Sequence, residues 1–423
     1  MDEKQIALNA IRKKLIGKKL TYRDIYAVMD QIAHKKFGDV LTTYFAASGY
    51  SKGFSNDELY YLTKAMVETG EQMHFEGIVA DKHSIGGVPG TRTTPIVVAI
   101  IAAAGFKIPK SSSRAITTPD GTADDMEILA PVILTKEEIY KVVEKTNGCI
   151  VWGGSFNIAP ADDIIIQVEK PLSFESFDKV LVSIMAKKIA FGSNHVVIDI
   201  PWGKNVKVHN LDDARTLANK FVYLAKKFKI RLKPLIHHTQ EPGGKGIGPV
   251  LEIRETLRVL QQKVNRPLDL EVRSINLAGN LLELCLSDCK KELKDEIKKN
   301  YGNTFGWATQ ILKSGLAFTK FQEIIEAQGG NPTVDSETLK LSKLSFEQIA
   351  GEKGTVLELN IKNITIVAKI LGAPNQKGSG IYLNKKIGDT FDKGDVLYTL
   401  FSENVYNLKE GKESLENFPI IKF

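Results

Sequence analysis

The chain has 423 residues, 43% hydrophobic and 25% charged, enough to bury a large core in two or three compact units. Three cysteines argue against a disulfide framework, and the charged start MDEKQIALNAIRKK lacks the apolar core of a signal peptide. The net charge of +7 is spread through mixed runs without interleaved aromatics, which argues against a nucleic-acid tract. No apolar run is long enough to span a bilayer. A cytoplasmic protein is expected, binding neither nucleic acid nor membrane and holding no metal.

In chain order, residues 1–70 read as helices. Ile25, Val28, Met29 and Ile32 keep helical spacing, and Ser55 with Glu58 forms a capping-box pattern. From about Gly77, short strands alternate with helices. Strands are expected at 78–80, 149–152, 195–200 and 230–236. One helix should open at Thr94 and Pro95, and another should run from a Thr135/Glu138 cap to Asn147 and Gly148. This alternation implies a largely parallel sheet covered by helices. Residues 159–190 leave that pattern and are expected to rejoin the N-terminal helices. Beyond Pro332 the texture changes again: 355–371 reads as β-rich, and 378–383 and 388–394 read as hairpins.

The expected fold class is α/β plus all-α. A discontinuous helical domain comprises 1–70 and 159–190. A large α/β phosphate-binding domain with a mixed, mostly parallel sheet comprises 71–158 and 191–331. A small C-terminal α+β unit covers 332–423.

Two runs carry chemistry. DKHSIGGVPGTRTT at 81–94 follows a strand and precedes a helix, so backbone N–H groups and a helix N-terminus point at an anion; Lys82 adds charge and Ser84 and Thr93 add hydroxyls. It is neither a Walker loop nor GxGxxG, and a plain strand-to-helix turn remains an open reading. SSSRAITTPDGTADDME at 111–127 offers hydroxyls and one arginine ahead of an acidic helix, enough to ring a phosphate and a sugar. A capped surface loop is the alternative. SIMAKK at 183–188 puts Ser183 and Lys187 on one helix face, and QEPGGKGIGPVLE at 240–252 suggests a backbone fold-back at a cleft edge.

Together and in order, these runs resemble the thymidine and pyrimidine-nucleoside phosphorylase family, and within it the archaeal-type AMP phosphorylase branch. SRAIT at 113–117 and VPGTRTT at 88–94 stand where nucleoside phosphorylases carry a Gly-rich run with His and a Gly-Asp stretch. The cation expected some fifteen positions before Ser183 falls near Val168, with Lys170 the nearest. The resemblance implies a glycosyltransferase that splits nucleoside 5′-monophosphates such as AMP, CMP and UMP with inorganic phosphate as co-substrate, giving free base and ribose 1,5-bisphosphate without another cofactor.

It further implies that Lys82, Ser84, Thr93, Ser112 and Thr122 bind phosphate. Gly87, Ser113, Arg114, Ala115, Ile116, Thr117, Thr118, Thr122, Ser183, Lys187 and Lys207 would meet the nucleotide, and Glu175 stands at the family's proton-donor position. The large assemblies linked to the branch's additional N-terminal domain are not expected here; the resemblance implies a homodimer through the helical domain. A pyrimidine-nucleoside phosphorylase giving base and (deoxy)ribose 1-phosphate is the alternative; a phosphoribosyltransferase or a silent nucleotide-binding module is more distant.

Overall fold

The computed structural model describes residues 2–154, 157–169 and 176–423. The N-terminal region forms helices Glu3–Leu15, Tyr22–Ala33, Gly38–Lys52 and Asn56–Glu68. The Ser55/Glu58 capping box forms, with the Ser55 N–H donating to Glu58 Oε2 at 2.8 Å and the Glu58 N–H to Ser55 Oγ at 3.4 Å. Glu58 also takes a buried ion pair from Lys14 (2.8 Å) and the Leu20 N–H (3.1 Å), so one carboxylate ties the first helix to the fourth. Helices Pro160–Glu169 and Phe177–Ala190 join the same apolar cluster through Ile165, Leu181 and Met185. That cluster continues onto the sheet at Val196, Ile198 and Ile200.

Every ladder of the central sheet is parallel. Strand Gly148–Trp152 pairs with Ile108–Ser112, and His195–Trp202 lies between Ala80–Ser84 and Arg231–His238. The Val79–Lys107 bridge joins the two ladders, giving the spatial order third, second, first, fourth, fifth strand. The chain therefore winds one way from the first strand, then restarts on its other side. In such sheets ligands bind at the carboxyl ends beside that reversal. Both faces are covered, which explains apolar strands without alternation: Ile198 packs toward the helical layer and Val197 toward helices Thr94–Ala103 and Leu268–Ser287.

Several local expectations are corrected. The first strand runs Ala80–Ser84 rather than 78–80, so Lys82 lies within a strand, not a loop. Strand Ile108–Ser112 was not expected, because Pro109, Lys110, Ser111 and Ser112 carry no apolar signal; its parallel partner makes it a strand. Most of the stretch read as β-rich at 355–371 is helix Ile361–Ile370. Its buried Ile361, Ile364, Val367 and Ala368 recur at helical spacing, and that spacing overrides the weak helix preference of β-branched residues.

The C-terminal strands form an antiparallel sheet in the order Gly246–Ile247, Gly380–Leu383, Val396–Ser402, Leu344–Ile349. Segment 378–383 is therefore not a tight hairpin. Its strand Gly380–Leu383 pairs on one side with Val396–Ser402 and on the other with Gly246–Ile247, an edge strand from the distant 240–252 run. Gly248 must be glycine there: its φ is +111° and any Cβ would meet the Ser379 carbonyl. Among the described residues, no helix is long and apolar enough to cross a membrane.

Candidate active site

Strand Ala80–Ser84 carries Lys82 to the carboxyl edge of the sheet, where its Nζ donates to Thr93 Oγ1 (2.8 Å) and Thr94 Oγ1 (3.4 Å) at the start of the apolar helix Thr94–Ala103. Burial brings the Lys82 ammonium down to about 8, against the pull of Asp199 on the neighbouring strand. Burial works to raise Asp199, but Arg273 (3.3 Å) and His237 (3.1 Å) hold its carboxyl well below the ordinary range, so it stays an anion beside Lys82. Ser84 Oγ accepts the Gly86 N–H at 3.4 Å. Gly87 has φ +87°, and a Cβ there would lie 2.8 Å from Lys207 Cγ. This turn therefore sits directly against Lys207.

The second loop begins at the end of the adjacent strand Ile108–Ser112. Ser112 is buried, and its Oγ has no hydrogen-bond partner, a hydroxyl left for a ligand. Asp124 holds the loop at both ends: its Oδ2 accepts the Ala115 N–H (2.7 Å) and the Gly121 N–H (2.9 Å), while the Ser113 carbonyl accepts the Ala123 N–H (3.2 Å). Arg114 donates to Asp124 (3.2 Å) and doubly to Glu127 (2.8 and 2.6 Å), and its guanidinium lies over the Trp152 ring at 5.2 Å. Its charge is thus engaged in shaping the loop. Ile116 is 43% exposed, Thr117 is half-buried, and Thr118 Oγ1 donates to the Asp120 carbonyl at 2.7 Å.

Arg92 joins the two loops. Its guanidinium donates to Thr122 Oγ1 (3.1 Å) and Asp120 Oδ1 (2.9 Å), and it pairs with Asp125 and with Glu252 Oε2 (3.1 Å). Burial and repulsion from Asp120 push the Asp125 and Glu252 carboxyls up, although Arg92 opposes this. For Arg92, burial opposes the charge while Asp125, Glu252 and Asp120 carry its pKa up. Oxygens of Asp120, Asp125 and Glu252 approach within 4.8 Å of one another, close enough to hold a cation, and the guanidinium is the cation among them. Glu252 Oε1 also accepts the Gly90 N–H (2.7 Å), and Thr91 Oγ1 accepts the Gly243 N–H (2.8 Å), stitching the 240–252 run to the first loop.

On the helical side, Ser183 Oγ donates to Asp162 Oδ2 (2.7 Å), and Lys187 pairs with the same oxygen (2.7 Å). Burial raises the neighbouring Asp163 carboxyl to about 6, with Lys187 opposing. Burial alone would lower Lys187, but Asp162 and Asp163 carry it upward. The next residue, Lys188, turns inward to Asp81 (2.6 Å), fully buried, so this helix is tied to the strand that carries Lys82. Glu175 and Lys170 lie outside the described residues.

Family models match three stretches: "Glycosyl transferase family, helical bundle domain" at 8–70, "Glycosyl transferase family, a/b domain" at 76–300, and "Pyrimidine nucleoside phosphorylase C-terminal domain" at 355–419. The AMP phosphorylase of Thermofilum pendens is 42% identical over 412 residues, 97% of this chain and 77% of that protein. The AMP phosphorylase of Methanocaldococcus jannaschii is 43% identical over 407 residues, 96% of this chain and 78% of that one. The chain belongs to this glycosyl transferase family, alongside the AMP phosphorylases.

It is a pentosyltransferase. The same fold occurs in the anthranilate phosphoribosyltransferases of Thermus thermophilus (TM-score 0.61, 15% identity, 75% of this chain and 99% of that chain) and Saccharomyces cerevisiae (TM-score 0.59, 14% identity, 77% and 98%). Within this family member, the expected residues gather in three groups. Lys82, Ser84 and Ser112 stand on the first two strands and Thr93 and Thr122 at the starts of the helices that follow them; Gly87 meets Lys207; Ser183 and Lys187 share Asp162. Sequence reasoning missed the roles of Arg92, Asp120, Asp125, Asp162 and Glu252. Arg92, Asp120, Asp125 and Glu252 lie inside the chemistry-bearing runs, but nothing in those runs says which carboxylates meet the arginine, and Asp162 lies outside all of them.

Proposed function

We propose that this pentosyltransferase phosphorolyses nucleoside 5′-monophosphates, AMP and also CMP and UMP, to free base and ribose 1,5-bisphosphate, with orthophosphate as nucleophile and no other cofactor. The observation that carries the reading is the Arg92–Thr122 hydrogen bond of 3.1 Å. It ties the loop after Lys82 to the loop after Ser112, so an ammonium and several hydroxyls line neighbouring strand ends where an anion is favoured. The names of the relatives from Thermofilum pendens and Methanocaldococcus jannaschii point the same way.

On this reading Lys82, Ser84, Thr93, Ser112 and Thr122 hold orthophosphate. One of its oxygens forms a bond to the anomeric carbon as the bond from that carbon to the base nitrogen breaks, and the bonding pair leaves with the base. Cationic charge grows on the sugar and negative charge on the base, so the site acts by positioning and electrostatics. Nucleotide contacts come from Gly87, the 113–118 loop, Ser183, Lys187 and Lys207. The proton for the departing base comes from Glu175, by its place eight residues before Ser183. The enzyme works in the cytoplasm as a homodimer joined through its helical domain.

The deciding experiment follows free base released from AMP, CMP, UMP, uridine and thymidine, with and without phosphate. Phosphate-dependent release from the monophosphates is expected. Equal or faster turnover of thymidine or uridine would establish the pyrimidine-nucleoside reading instead, and dependence on pyrophosphate would mark a phosphoribosyltransferase.

A further inference from the structure

Lys377 links the C-terminal region to the second loop and is held at both ends. Lys377 precedes strand Gly380–Leu383. Its carbonyl accepts the Val250 N–H (3.1 Å) at the first turn of helix Pro249–Leu260, the helix that supplies Glu252 to Arg92. Its ammonium contacts Glu127 Oε2 (3.1 Å), Asp124 Oδ1 (3.5 Å) and the Asp124 carbonyl (3.4 Å). Those two carboxylates grip Arg114, and Asp124 alone fixes the Ala115 and Gly121 amides. A second lysine from the same region, Lys369, donates to the Ile116 carbonyl at 3.2 Å.

We propose that Lys377 is a positioning residue through which the C-terminal domain sets the conformation of the 113–121 loop for nucleotide binding. The physical case rests on charge balance. Asp124 and Glu127 bring two carboxylates to one arginine, and the Lys377 ammonium supplies the second positive charge, so both are balanced and oriented. Glu127 is accordingly held at about 2, by Arg114 first and Lys377 after it. With Lys377 neutralised, Asp124 and Glu127 compete for Arg114, and the loop loses its fixed anchor at Ala115 and Gly121. Charge-assisted contacts of this kind are the stronger hydrogen bonds in proteins.

The inference deepens the functional reading and rests on it, so one readout is independent of turnover. In Lys377→Met, hydrogen exchange at the Ala115 and Gly121 amides should quicken about tenfold while the helical layer is unchanged. In steady-state kinetics, the KM for AMP should rise about tenfold, with kcat and the KM for phosphate within about threefold of wild type. Lys377→Arg should restore both. Lys385→Met, which removes an ion pair to Asp395 within the same domain (2.9 Å), should leave both at wild-type values. Unchanged exchange in Lys377→Met, an equal loss in kcat and KM, or equal damage from Lys385→Met overturns the proposal. Wild-type protein that releases no base from AMP overturns the functional reading, whatever the exchange shows.

Discussion

On the sheet side of the site, Lys82 and Ser112 stand on neighbouring strands and Thr93 and Thr122 at the starts of the helices that follow, and Arg92 joins the two loops through partners at positions 120, 122, 125 and 252. On the helical side, Asp162, Ser183 and Lys187 form a short chain across two neighbouring helices, joined to the sheet by the buried Lys188–Asp81 pair. The first arrangement draws on segments as far apart in the chain as Gly90 and Glu252 and is cross-linked in several directions. The second is local and hangs on one carboxylate. Under the proposed function, this contrast suits different work on each side. A nucleophilic anion needs donors fixed before it arrives, because preorganised dipoles stabilise charge without reorganising during reaction. A nucleotide's sugar and base can be met by groups that adjust as the site fills.

The largest effect that can break this comparison is expected from Arg92→Met. It leaves Asp120, Asp125 and Glu252 buried without their cation, and removing one partner of a buried ionic cluster typically costs about 3–5 kcal/mol. Urea unfolding measures the loss; a change under ~1 kcal/mol would mean the two loops are held by other contacts. Next comes Lys82→Ala. Turnover should fall ~10²–10³ with unchanged circular dichroism, by analogy with loss of one preorganised donor. Wild-type turnover would remove Lys82 from the site.

A third expectation uses the pH dependence of Lys82, whose ammonium burial holds at about 8. As pH rises through that value the charge is lost in the folded protein, so the KM for phosphate should climb roughly tenfold per unit above it. Between about 8 and the ordinary lysine value near ~10.4, the unfolded chain binds the proton that the folded chain has released. This group's contribution to stability therefore rises with pH over the same window, opposite in sign to the loss of phosphate affinity. A flat phosphate KM up to pH ~9.5 contradicts the assignment. The smallest effect is expected on the helical side: Asp162→Asn should raise the KM for the nucleotide about fivefold, the worth of one ordinary hydrogen bond, with the KM for phosphate unchanged. A larger change in the phosphate KM would show that the two sides are one unit.

Much of the architecture could be read in advance where local chemistry and tertiary fold agree. The Ser55/Glu58 cap, Pro95 in the first turn of its helix, and the apolar runs at 149–152 and 195–200 name their elements directly. The readings failed where a segment's partner decided its state. Pro109, Lys110, Ser111 and Ser112 become a strand only because Gly148–Trp152 lies alongside. Ile361–Ile370 has the composition of a strand and the buried spacing of a helix. The candidate site divides in the same way: the runs that concentrate lysine, hydroxyls and glycine were legible, but the carboxylates that organise them were not.

By itself, then, the sequence determined the helices of the N-terminal region, several elements of the α/β region and the runs in which lysine, hydroxyls and glycine concentrate. Caps, apolar periodicity and glycine-bearing turns act over a few residues and need no knowledge of the rest of the chain. Only the tertiary structure decided that Arg92 is enclosed by acids from positions 120, 125 and 252, that the strand Gly246–Ile247 is the edge of the C-terminal sheet, and that Lys377 reaches the 113–121 loop. Ion pairs and strand ladders between distant segments depend on where burial of apolar surface brings those segments together. Any of several acids near the motif runs satisfies an arginine equally well until the core has chosen among them.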